Sequence, residues 1–69
     1  METSVEFDVA KLKQDVASKG WLPEDLAKAA GVSPMTVSRV FRGQRHNPRT
    51  WQKLAKALGF SVRRYVGVN

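Results

Sequence analysis

Residues 42–49 read Arg-Gly-Gln-Arg-His-Asn-Pro-Arg, which places three arginines, a glutamine and an asparagine within eight positions. A guanidinium is a planar, permanently charged fork of donors that pairs with phosphate oxygens two at a time. The chemistry of this stretch is the capture of phosphates, with Arg42, Arg45 and Arg49 as charges and Gln44 and Asn47 as neutral partners. Asn47 followed by Pro48 also opens a helix, whose first unpaired N–H groups add a further place for an anion. His46 is the single histidine and there is no cysteine, so neither a metal site nor a disulfide is expected, and His46 reads as a passive loop residue. No nucleophile stands near a base. The residues call for no catalysis, no cofactor and no small-molecule ligand.

The distribution of charge strengthens this reading. The chain has 69 residues and a formal net charge of +6. All six carboxylates (Glu2, Glu6, Asp8, Asp15, Glu24, Asp25) lie in residues 1–25, where only Lys11, Lys13 and Lys19 offset them. Residues 26–69 hold nine cations and no acid. Soluble surfaces ordinarily interleave both signs, so a stretch free of acids points to a polyanionic partner. Hydrophobic residues make up 42% of the chain, enough for one small core. No apolar run is long enough to span a membrane and the N-terminus has no apolar signal core, so a cytoplasmic location is expected.

The elements that must carry these residues are short helices, four or five of them, giving an all-α bundle. Residues 1–6 read as a flexible lead-in, residues 7–66 as the folded domain and residues 67–69 as a tail. Asp8 caps a first helix whose stripe is Val9, Leu12 and Val16, and Lys19 and Gly20 end it. A second helix begins at Pro23, with Glu24 and Asp25 near its positive end and Leu26, Ala27 and Ala30 on its apolar face; Gly31 stops it. Ser33 and Pro34 open a third, which buries Val37, Val40 and Phe41 and ends at Gly43. Asn47 and Pro48 open a fourth, with Trp51, Leu54, Ala55 and Leu58 at core spacing and Gly59 at its end. Ser61 caps a last turn through Val62, Tyr65 and Val66. Strand-like alternation is not found. Trp51 is expected in the core, and Trp21 packed where the first helix meets the second.

Two short helices joined at Gly31-Val32-Ser33 have the spacing of a helix-turn-helix, with Leu26, Ala27, Ala30, Gly31, Val32, Val37 and Val40 at its apolar, small and turn positions. On these residues the chain resembles the lambda-repressor/Cro-like superfamily, in particular its xenobiotic-response-element type. The stretches 20–27 and 53–62 resemble that family's approach to its second helix and its fourth helix with the following turn. The third helix, Ser33-Pro34-Met35-Thr36-Val37-Ser38-Arg39-Val40, is also similar to the lac-repressor headpiece. The Leu-Ala-Lys-Ala-Leu helix that follows favours the repressor/Cro type. One departure stands out: position 23, often a phosphate-binding glutamine in this family, is Pro23, and Leu22 replaces the usual hydroxyl cap. The basic loop is expected to compensate.

The resemblance implies that the start of the third helix enters the major groove of double-stranded DNA. With Val37, Val40 and Phe41 turned inward, Arg39 is the first candidate for reading a base, because its fork matches guanine O6 and N7. Met35 is the second, through a thymine methyl, and Pro34 and Ser38 are further candidates. Ser33, Thr36, Arg42, Gln44, Arg45, Asn47 and Arg49 are expected on the DNA backbone, and Lys53 stands within possible reach of it. The implied function is a transcriptional regulator, expected to be a repressor that binds a roughly palindromic operator as a homodimer. The tail residues Phe60, Val62, Tyr65, Val66 and Val68 supply either a dimer face or the completion of the core. The competing reading is an antitoxin-like or adaptor protein whose main partner is another protein. An RNA-binding adaptor fits less well, because the aromatic residues fall at core spacing instead of forming a platform.

Overall fold

Each helix of this chain begins and ends where a nearby group satisfies the backbone. The computed structural model describes residues 6–44 and 47–67. In order these form β1 (Glu6–Phe7), α1 (Val9–Ser18), α2 (Pro23–Ala30), α3 (Pro34–Phe41), α4 (Pro48–Leu58), a 3-10 turn (Val62–Tyr65) and β2 (Val66–Gly67). Asp8 Oδ1 accepts the Lys11 N–H at 3.0 Å, Ser33 Oγ the Thr36 N–H at 3.2 Å, and Asn47 Oδ1 the Thr50 N–H at 3.0 Å. Each such cap contributes about 1 kcal/mol. At α2 the cap works in reverse. Leu22 has no acceptor, and the Asp25 carboxylate reaches back to accept the Leu22 N–H at 2.8 Å. Gly31 ends α2 with φ 72°. A Cβ there would meet nothing within 4 Å, so glycine is required for the left-handed backbone rather than for space.

The core joins all four helices and the turn. Leu12 and Val16 of α1, Leu26 and Ala27 of α2, Val37 and Val40 of α3, and Trp51, Leu54, Ala55 and Leu58 of α4 are buried together with Tyr65. The helix faces are those that the sequence spacing marks out. Trp51 lies under two further aromatic rings. Phe7 stacks on it at 4.7 Å between centroids with planes 10° apart, and Tyr65 tilts against it at 5.9 Å. Among the described residues no polar side chain is buried, and no helix is long and apolar enough to cross a membrane.

Two features depart from the sequence reading. The first is a short antiparallel ladder, in which Glu6 pairs with Gly67 and Phe7 with Val66. Asp8 extends it by donating its N–H to the Tyr65 carbonyl at 2.7 Å. Glu6, assigned to the lead-in, is therefore part of the pairing. Two residues per strand are too few to show alternation, and the stacking of Phe7 on Trp51 brings the two ends of the ladder together. The rest of the lead-in, Arg45, His46 and Val68 lie outside the described residues.

The second departure is a polar junction between α1 and the last turn. The Asp15 carboxylate accepts from Arg64 Nε at 2.7 Å and Nη2 at 3.1 Å, and from the Tyr65 hydroxyl at 2.6 Å. The Arg64 guanidinium also covers the Phe60 ring at 4.3 Å. Arg64 holds the Asp15 carboxyl below its ordinary pKa, and the Tyr65 hydroxyl adds to this against the opposing effect of burial. Burial, and next the bond to Asp15, push the Tyr65 phenol above its ordinary range. The tail residues therefore divide. Tyr65 is fully buried and Val62 half-buried, whereas Phe60 and Val66 are exposed at 40% and 36%.

Trp51→Ala should lower the stability to unfolding by about 3 kcal/mol or more, because it removes the ring on which Phe7 and Tyr65 pack. A loss under about 1 kcal/mol in denaturant titration would contradict its place in the core. The lowered Asp15 pKa stabilises the fold above the unfolded carboxylate value of 3.8, and that stability is lost as pH falls from there through the folded value. Asp15→Asn should therefore be less stable at neutral pH and show a flatter acid limb. An acid limb identical to that of the native chain would assign acid sensitivity to other groups.

Candidate nucleic-acid interface

Helix α3 is divided lengthwise by burial. Val37 and Val40 are fully buried in the shared core, with α3 packed mainly on α2 and also on α1, and Phe41 is half-buried beside them. Pro34, Met35 and Arg39 stand in solvent, and Arg42 follows them at the C-cap. Met35 is 61% exposed, as much as Leu22 ahead of α2. Thr36 and Ser38 are half-buried at the border. An α-helix with its side chains is roughly as wide as the major groove of duplex DNA, so a helix held by one face and bare on the other can enter it.

The first turn of α3 is tied together by its hydroxyl groups. Ser33 and Thr36 bring their side-chain oxygens to 2.9 Å, while Ser33 Oγ also takes the Thr36 N–H. Beyond the helix, the Gly43 N–H donates to the Val40 carbonyl at 3.0 Å and the Gln44 N–H to the Arg39 carbonyl at 3.0 Å. This folds the start of the basic loop back over the end of α3. Gln44, Asn47 and Arg49 are exposed. The Asn47 amide oxygen is occupied by the Thr50 N–H and hydroxyl, at 3.0 Å and 3.2 Å. Of the eleven residues singled out by sequence as contacts, all but Arg45 fall in described positions, on α3, the loop after it and the first turn of α4.

Electrostatically these cations are uncommitted. Among the described residues the one ion pair is Arg64 with Asp15, so Arg39, Arg42 and Arg49 hold no carboxylate.

One lysine missed at the sequence level joins this surface, and a second stands before α2. Lys13 of α1 places its ammonium 5.9 Å from the Phe41 ring centroid, bringing a charge to the C-terminal end of α3. Lys19 lies 5.3 Å from the Trp21 ring centroid, just before α2. Both sit in the acid-rich part of the chain, and only the packing of α1 against α3 reveals the position of Lys13. At the start of α2 itself, Leu22 (61% exposed), Pro23, Glu24 and Asp25 offer apolar or acidic side chains. Lys53 and Lys56 line a shallow groove with Ala29, Ala30 and Ala57 on the α2–α4 seam, to which α3 contributes nothing.

Comparison with known proteins agrees with this geometry. The helix-turn-helix family model matches residues 12–64, from the first core leucine to the arginine that holds Asp15. No curated protein and no solved structure matched the chain. The match spans α1 to the final turn and includes the α2–Gly31–α3 unit. The chain belongs to the Cro/C1-type helix-turn-helix family of DNA-binding transcription regulators.

Proposed function

We propose that the chain is a sequence-specific repressor that binds a roughly palindromic operator as a homodimer and acts by occluding a promoter. The observation that carries the reading is Arg39. It is exposed, lies one turn into α3, stands on the face opposite Val37 and Val40, and has no ion-pair partner among the described residues. A guanidinium so held can meet guanine O6 and N7 without first breaking a bond within the protein.

Arg39, Met35, Pro34 and Ser38 read base edges in this proposal. Arg42, Gln44, Arg45, Asn47 and Arg49 hold the phosphates on either side. Ser33 and Thr36 share one hydrogen bond between their hydroxyls, and the remaining hydroxyl hydrogen goes to a phosphate. Lys13 joins the backbone contacts at the far end of α3. With Pro23 lacking a donor, Lys19, held over Trp21 just before α2, takes the phosphate at that end. A single recognition helix covers too few base pairs for useful specificity, so two copies would bind half-sites about one helical turn apart. The exposed Phe60 and Val66 supply the apolar part of the dimer face.

Selection from random duplexes should return an inverted repeat with half-site centres about 34 Å apart or a multiple of this. On the selected site, Arg39→Ala should cost about 1–3 kcal/mol, and clearly less on unrelated DNA. Arg49→Ala should weaken both equally and reduce the salt slope by about one. A uniform loss in Arg39→Ala would make Arg39 a backbone contact, and a single unrepeated motif would remove the dimer. Failure to enrich any sequence would end the proposal.

A further inference from the structure

Resting on the reading that α3 enters the major groove, we infer that its first turn recognises the C5-methyl group of a pyrimidine, with Met35 as the methyl sensor. Four residues make up this turn and its cap. Ser33 and Thr36 are the two with polar side chains, and their oxygens are turned to each other at 2.9 Å, with Ser33 Oγ also capping the helix. Thr36 is half-buried as well. The remaining two, Pro34 and Met35, carry no side-chain donor; they are exposed, as is the capping Ser33, whose hydroxyl is already engaged with Thr36. Beside that engaged hydroxyl pair, the side chains that the first turn of α3 offers to the groove are apolar. Base edges in the major groove present one apolar feature, the methyl at C5 of thymine. A thioether is flexible and polarisable and packs well on such a group.

This chemistry does not distinguish thymine from 5-methylcytosine, since both carry the methyl at the same place in the groove. What separates the two bases is the hydrogen-bonding pattern, and the first turn has no side chain committed to reading it. Arg39, one turn further along, adds a guanidinium suited to a guanine. The recognised step is therefore a C5-methylated pyrimidine with a guanine close by. Met35 thereby becomes a specificity-determining residue for the family's DNA-binding activity, distinct in kind from the charged contacts around it.

The test uses the full chain and the duplex obtained by selection. Each thymine in a half-site is replaced in turn by deoxyuridine, which removes the methyl and nothing else. At one thymine affinity should fall roughly four-fold, the effect of exposing a buried methyl. At that position cytosine should bind as weakly as uracil, and 5-methylcytosine should restore affinity to near that of thymine. Met35→Ala should fold normally, because the side chain is in solvent, and should shrink the thymine-to-uracil ratio toward one. Arg39→Ala should weaken binding while preserving that ratio. A ratio of one at every thymine in the native chain, or an unchanged ratio in Met35→Ala, overturns the inference while leaving the proposed repressor intact. A thymine effect without recovery by 5-methylcytosine overturns the inference that the first turn reads the methyl group alone. Absence of binding to any duplex overturns both.

Discussion

A helix of eight residues is too short to be stable in water, because nucleating the first turn costs more than so few further bonds return. Helix α3 exists because Val37 and Val40 are removed completely from solvent in the core, against α2 and α1. Everything proposed for the exposed face depends on that burial. It fixes the rotation of the helix, and so decides that Met35 and Arg39 point away from the protein. Alanine at position 27 and the left-handed turn at Gly31 let α2 and α3 cross closely enough for the two valines to reach the core. The aromatic cluster of Trp51, Phe7 and Tyr65 closes the same core on its other side.

The second constraint is electrostatic. A fold this basic must bring its cations together at some cost in mutual repulsion. Its acids are placed where they help to close the structure. Asp8 and Asp25 satisfy helix starts, and Asp15 draws Arg64 and Tyr65 onto α1. None of the three is paired with a cation of α3 or the basic loop among the described residues. The acidic portion of the chain thus stabilises the fold, and of the cations of the opposite portion it engages Arg64 and leaves Arg39, Arg42 and Arg49 without a carboxylate among the described residues. A strong buried partner for Arg39 would have to be broken before any DNA contact formed.

The sequence makes the helix boundaries legible for local reasons. Asp8, Ser33 and Asn47 each cap within three residues, and Gly31 and Gly59 each act on the turn they end. The period of 3.6 likewise separates Val37 and Val40 from Arg39 without reference to any other element. Contacts between residues far apart in sequence cannot be read this way. Asp15 meets Arg64 and Tyr65 across 49 and 50 positions, and Phe7 meets Trp51 across a comparable span. The nearness of Lys13 to Phe41 depends on how α1 lies against α3. Thr36 is an intermediate case. Its type and position suggest a phosphate ligand, but the same short spacing from Ser33 lets the two hydroxyls pair with each other.

The bare side of α3, with the loop and helix start that follow it, is the surface proposed to meet DNA. Amide chemical-shift mapping during titration with the selected duplex tests this most directly. The largest changes should fall in residues 33–44 and 47–50, with smaller ones at Lys13 and Lys19. The α2–α4 groove at Ala29 and Ala57 and the Asp15–Arg64 junction should stay nearly unchanged. Large shifts centred on that groove or that junction, with residues 34–39 unmoved, would contradict it.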